Sequence, residues 1–193
     1  MKSTEALARF ADAQDAFGGV VAQLGDGQWS WPTPCTEWTV RQLVNHVVGE
    51  QLWVTPMLAG RTVAEVGAEL DGDLMGDSPV SAWAEAAADA RARFAQPGAL
   101  DGAINSSSGP KPADEYLAEL TFDLVVHRWD LGRAVSIEQR FTDSECGLVE
   151  ESIAGFAGIA DTLVAAGVFA APVDVAGGAD RQTLLLAALG RTQ

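Results

Sequence analysis

Long stretches rich in Ala, Leu, Val and Glu, separated by short clusters of Gly, Pro and Ser, dominate this chain and restrict it to helical architectures. Strand-like alternating runs are too few for a substantial sheet, and no internal repeat is visible. About five long helices are expected from the helical spacing of the apolar residues. The first covers about residues 3–24, begun at Ser3 or Thr4 and stopped by the "GDG" at 25–27. The second begins at Thr39, where Thr39 and Gln42 form a T-x-x-Q capping box, and runs to about Leu58 with a bend at Pro56. The third covers about 79–96, with Ser78 as its cap and Pro79 at the first helical position. The fourth covers about 113–134, the fifth about 143–166, and a short terminal helix about 181–189. "PGALDGAINSSSGPKP", at 97–112, reads as a flexible connection too polar and too rich in Gly and Pro to be buried. "APVDV", at 171–175, is the best candidate for a single short strand. The expected fold class is all-α: a four-helix bundle with one long crossover and an extra C-terminal helical segment. The whole chain, 1–193, is expected to form one domain with an extension from about 167.

With 193 residues the chain is long enough for one well-packed core. It carries 27 acidic against 12 basic residues, a formal charge of −15, which repels phosphate backbones and anionic lipid surfaces alike. Nucleic acid and membrane are therefore not expected as partners. "MKSTEALARFADAQDAFGGVV", at the start, lacks the apolar core of a signal peptide, and no later run approaches a membrane span, so a cytoplasmic location is expected. Cys35 and Cys146 are far apart with no CxxC spacing and read as reduced thiols.

The chain has only two histidines, and both fall on apolar helix faces. In "LTFDLVVHRWDL", at 120–131, Leu120, Leu124 and Leu131 project within about 60° of His127, and Asp123 about 40° to the other side. Glu119, Asp123 and Asp130 line one flank of that stripe, and Glu119 and Asp130 read as the edge where the helix meets solvent. On the second helix His46 projects within about 60° of Leu43, Trp53 and Met57, with Glu50 one turn on. Each imidazole is then either a boundary group bonded to a neighbour or a ligand. Imidazole and carboxylate suit zinc, nickel or iron, and His46, Asp123 and His127 together would supply three ligands and leave a coordination position open. No thiolate cluster suggests a closed structural zinc site. Asp130 or Glu50 is placed to orient a ligand imidazole, with an ordinary helix-face charge as the plainer role for Glu50.

The segment "WSWPTPCTEWTVRQLVNHVVGE", with Pro34, Cys35, Trp38, Thr39, Val40 and Leu43 leading to His46, resembles the start of the second helix in the DinB-like superfamily. "ELTFDLVVHRWDLGRA" resembles the fourth helix of its actinobacterial branch, which includes the mycothiol-dependent maleylpyruvate isomerase N-terminal domain; "DRQTLLLAALGR" resembles the closing helix of the shorter members. The resemblance implies a DinB/YfiT-like bundle with a divalent metal, zinc or nickel, held by His46, Asp123 and His127. It also implies a cleft where a thiol such as mycothiol reaches the open position as co-substrate. Asp123 stands where the isomerase-like members carry Glu and many other members carry His. At this length no second domain of the isomerase type is expected.

The function expected is a metal-dependent transferase, isomerase or detoxification hydrolase that uses a low-molecular-weight thiol and a small electrophile. The rival readings are a helical small-molecule-binding protein and a dimeric structural protein, each with a vestigial metal site. Trp29, Trp31 and Trp38 crowd the loop before the second helix, as core plugs or as a ligand-facing aromatic wall. Cys35 in that loop is either a buried inert thiol or a reactive one near a helix N-terminus.

Overall fold

A computed structural model describes residues 2–107, 109–167 and 169–192. They divide into two compact units, 1–137 and 138–193. The first unit holds a four-helix bundle of α1 (Lys2–Val21), α2 (Val40–Leu58), α4 (Pro79–Phe94) and α5 (Ala113–Val135), with a single turn, α3 (Val63–Val66), between α2 and α4. Helix α1 packs on α4 and α5, and α2 packs on the same two, so α1 and α2 lie diagonally across the bundle. The all-α bundle is thus the one the apolar spacing calls for. Among the described residues no helix is long and apolar enough to cross a membrane.

The interior follows from large apolar side chains at helical spacing. Phe10 meets Phe94 edge-on with ring centroids 5.4 Å apart, and Phe17 meets Trp83 at 4.7 Å. One polar network is built into this core. Gln14 Nε2 donates to Gln51 Oε1 (2.8 Å) and to the Ala87 carbonyl (3.0 Å), and Arg91 Nε donates to Gln14 Oε1 (2.9 Å). These bonds satisfy Gln14 on both its amide atoms, although Gln51 Nε2 is left without a partner, and they fix how α1, α2 and α4 meet more narrowly than apolar contacts alone do.

The caps explain the helix limits. Thr39 accepts from the Gln42 N–H while Gln42 Oε1 accepts the Thr39 N–H at 2.9 Å, closing the expected capping box. Pro56 sits inside α2, near its end, without stopping it before Leu58. Helix α1 ends at Val21, earlier than expected, and a 3-10 turn over Asp26–Ser30 takes up the Gly-rich stretch. Helix α5 ends on Ser136 in the left-handed region (φ 63°), where its N–H reaches the Gly132 carbonyl.

Three expectations are corrected. The stretch at 97–112 is not a flexible connection throughout: Ala103–Ser106 (β1) and Gly109–Pro112 (β2) form an antiparallel hairpin in which Ala103 pairs with Pro112 and Ile104 with Lys111. Its anchor is Ile104, only 1% exposed, packed with Met57, Val66 and Ala113. A two-stranded ribbon leaves every strand an edge, so Pro110 and Pro112 are tolerated there. "APVDV" forms no strand. Val173 N–H reaches the Ala187 carbonyl (3.0 Å), but a lone bond to a helix end does not make a ladder.

The fifth helix is broken into α6 (Asp143–Phe156) and α7 (Ala160–Ala165). Gly155 lies in the last turn of α6 and Gly158 in the break itself, and each weakens a helix by about 1 kcal/mol relative to alanine. These helices and α8 (Arg181–Ala188), capped by Asp180, make up the second unit. There α6 packs on α8, and Gln182 ties the chain before α6 by accepting the Phe141 N–H (2.8 Å) and donating to the Gln139 carbonyl (3.0 Å).

Candidate metal centre

Helix α5 is buried on all sides over its middle turns. From Leu120 to Gly132 the only position not buried is Asp123. Facing it on α2 is His46, partly exposed, and one turn along α5 lies His127, buried. The structure brings together the three residues that the sequence singled out: His46 Nε2 is 3.2 Å from Asp123 Oδ2, and His127 Nε2 is 3.5 Å from the same oxygen. The three donor atoms all lie within 4.8 Å of one another. Donors held at 2.0–2.1 Å around a tetrahedral zinc stand about 3.3 Å apart, so the two measured separations match edges of such a polyhedron. The shorter arm of Asp123 reaches as far as its two imidazoles require.

The other face of His127 determines what those atoms can do. Asp130, fully buried, lies one turn on, and His127 Nδ1–H donates to its Oδ2 at 3.0 Å. Cys35 S–H donates to the same oxygen at 3.3 Å. With the ring proton committed to Nδ1, the neutral imidazole turns the lone pair of Nε2 toward a carboxylate oxygen. Two acceptors face each other, and only a proton or a metal cation between them relieves the repulsion. Burial works against an imidazolium here, but the charge of Asp123 and the bonds to Asp123, Asp130 and Cys35 outweigh it, so the pKa of His127 lies well above the ordinary value. Asp123 mirrors this: burial would raise it, but the charges and bonds of His127 and His46 hold it well below the usual carboxylate range. The site is shaped to hold positive charge.

Glu50 borders the same site, with Oε1 3.6 Å from His46 Nε2. Burial, and then the charge of Asp123, push its pKa well above the ordinary value. It is therefore not an ordinary helix-face charge. Asp130 is also not at a solvent edge: the chain buries it as the partner of His127. Glu119 does stand at the edge, where Lys111 Nζ donates to both its oxygens (2.6 and 2.7 Å).

The loop before α2 covers one side of the site. The Pro32–Thr39 bridge and the bond from Thr33 N–H to the Trp38 carbonyl (3.1 Å) pinch it into a compact turn. Trp38 lies against His46 with ring centroids 4.6 Å apart, and against His127 at 5.8 Å. Of the three loop tryptophans it is the one at the site, whereas Trp31 is exposed and Trp29 partly so. Cys35 is half-buried with its sulfur on Asp130, so it belongs to the support of His127. Cys35, His127 and Asp130 also lie close enough to form a second ligand cluster, but the short bonds within it are those of an orienting network. Tyr116, which the sequence reading passed over, lies within the field of Glu50 and Glu119; burial first, and then those charges, raise its pKa. Its one signal in the sequence is helical spacing, two turns before Asp123 on the same face.

A four-helix bundle with two histidines and a carboxylate converging between its second and fourth long helices is a DinB-like arrangement. Within that class the chain belongs to the family of the mycothiol maleylpyruvate isomerase N-terminal domain, whose sequence profile matches residues 10–132. The match takes in His46, Asp123 and His127. The chain is also similar to two proteins from two strains of Mycobacterium tuberculosis, both described as uncharacterized. Each is 34% identical over 142 residues, which cover 74% of this chain and 72% of the relative. No solved structure matches the chain.

Proposed function

We propose that the protein binds a divalent cation, zinc or nickel, through His46, Asp123 and His127, and uses it in thiol-dependent chemistry. The co-substrate class is a low-molecular-weight thiol of the mycothiol kind, acting on a small electrophile in a transfer or isomerisation. The observation that carries the reading is the pairing of His127 Nε2 with Asp123 Oδ2 at 3.5 Å, behind an Nδ1–H committed to a buried carboxylate. The family supports the thiol, since its description names mycothiol.

A bound divalent cation would lower the pKa of a thiol or water at its open position and so supply a nucleophile at neutral pH. The chain's own residues do the rest. Asp130 fixes the tautomer and the ring angle of His127. Trp38 shields His46 from solvent on one side. Asp123, the one position between Leu120 and Gly132 that is not buried, marks the side from which a small molecule would reach the donors.

The test is titration of zinc and nickel into chelator-stripped protein. One ion per chain is expected, with binding lost in His46→Ala and His127→Ala while helical content persists. Turnover of mycothiol with small electrophiles is expected to vanish in the same two variants. A stripped, folded protein that takes up neither ion overturns the proposal.

A further inference from the structure

Each of the two helices that carry the site has a histidine and a carboxylate one turn apart, in opposite order. His46 precedes Glu50 on α2, and Asp123 precedes His127 on α5. Residues one turn apart share a helix face. Moving forward along α2 corresponds to moving backward along α5: His46 lies against His127 and Asp123, and Glu50 against Asp123, with Glu119 and Tyr116 in its field. The two helices are antiparallel at this point. The reversed order therefore sets both carboxylates against His46, with His127 beyond Asp123.

Glu50 is the member of this group that nothing so far accounts for. Its Oε1 is 3.6 Å from His46 Nε2, close to the 3.2 and 3.5 Å that separate the other donors. Its Oε2 is buried with no hydrogen-bond donor facing it. On its other side stands Asp123, of the same sign. Lys111, on the same flank, is held by both oxygens of Glu119. A buried carboxylate oxygen without a donor, beside a second carboxylate, is costly unless the group takes up a proton or a cation faces it.

We propose that Glu50 is a fourth protein donor to the cation, so that the site consists of two imidazoles and two carboxylates from two i,i+4 pairs. This rests on reading His46, Asp123 and His127 as a metal centre. Two carboxylates match the charge of a divalent ion. Four protein donors would enclose zinc in its usual four-coordination, whereas an ion that accepts five or six donors keeps room for a thiol.

The test uses cobalt(II) in chelator-stripped wild type, Glu50→Gln and Glu50→Asp. Gln keeps the shape and removes the charge; Asp keeps the charge and withdraws the oxygen. If Glu50 is a donor, both variants change the position and intensity of the visible cobalt bands, and Glu50→Gln binds at least tenfold more weakly in chelator competition. Thermal unfolding of the stripped variants checks that they fold, and if one fails the other still reads the bands. Wild-type bands in both variants overturn the proposal, even if affinity falls, because Glu50 then acts through its charge alone. Wild-type protein that binds neither cobalt, zinc nor nickel overturns the three-residue centre as well, so the two failures are distinct.

Discussion

Replacing Asp130 by Asn isolates the part of the site that lies behind the donors. Asp130 is fully buried, and its Oδ2 accepts from His127 Nδ1–H at 3.0 Å and from Cys35 S–H at 3.3 Å. An amide of the same shape offers a neutral oxygen in place of a charged one. A charge-assisted bond contributes about 1.5–3 kcal/mol and a neutral one about 0.5–1.5, so the imidazole is held more weakly by about 1 kcal/mol. The amide NH2 also points a donor toward groups that are themselves donors. His127 becomes a weaker base and a looser ligand, and loss of such a supporting carboxylate typically lowers metal affinity 10- to 100-fold, about 1.4–2.7 kcal/mol. Chelator competition with zinc and with nickel measures this directly, and urea unfolding of the stripped variant shows that the fold survives. Asp130→Ala is expected to do more damage, because it leaves the Nδ1–H with only the weak acceptor Cys35 Sγ, 4.0 Å away, at about 1–3 kcal/mol of stability. A folded Asp130→Asn protein with wild-type affinity for both metals would refute the role given to Asp130 in fixing the tautomer.

Four further outcomes are expected. Metal uptake should strengthen as pH rises toward the folded pKa of His127, because the cation must displace a proton that the site holds well above the ordinary imidazole range; calorimetry in buffers of different ionisation enthalpy reads the released proton. In stripped protein the stabilisation from the raised His127 is complete below about pH 6.5 and is lost as pH rises through its folded value. That from the lowered Asp123 is complete above about pH 3.9 and is lost as pH falls through its folded value, so wild type should exceed Asp123→Asn most between those limits in urea midpoints. The neighbouring glycines Gly18 and Gly19 should respond with opposite sign. A Cβ on Gly18 would stand 2.6 Å from Nε1 of the buried Trp83, so Gly18→Ala should lose about 1 kcal/mol after the gain in helix propensity, while Gly19→Ala, with nothing within 4 Å, should gain about 0.5–1 kcal/mol. Ile104→Ala should cost about 2–5 kcal/mol in urea unfolding, and a loss below 1 kcal/mol would show that the hairpin is not anchored in the core.

The bundle helices were legible because local signals and tertiary packing agree on them. Thr39 and Pro79 mark starts that coincide with the start of the apolar spacing, whereas Ser78 stands at the cap position without making a side-chain capping bond. The hairpin at 103–112 was not legible, since its Gly, Ser and Pro content is that of a loop and its one apolar anchor, Ile104, gains meaning only against Met57 and Val66. Helix α3 is a different case. Thr62 and Glu65 form the same kind of capping box as Thr39 and Gln42, and the signal was present but too short to carry an apolar face.

The site divides along the same line. Asp123 and His127 are one turn apart, so their shared face follows from helical geometry alone, and His46 could be placed on an apolar face by the same projection. Projection gives an angle around one helix, whereas exposure at that angle depends on what stands opposite. Glu119 and Asp130 fall on the same flank of α5, yet Glu119 meets Lys111 near solvent and Asp130 is sealed. The difference comes from Cys35, which is 95 residues away in sequence and is brought onto Asp130 by the turn that ends in Trp38. Glu50 is separated from an ordinary surface carboxylate in the same way, by the antiparallel approach of α5 that sets Asp123 beside it. Where a helix is buried on every side, as α5 is from Leu120 to Gly132, a charged residue on the flank therefore marks either an opening to solvent or a group that must be paired. Asp123 is at the opening and Asp130 is paired, while Glu50 has one oxygen that neither solvent nor a donor reaches. That oxygen is a reason to look for a cation between α2 and α5, because beside an ionised Asp123 it is satisfied only if Glu50 is protonated or a cation faces it.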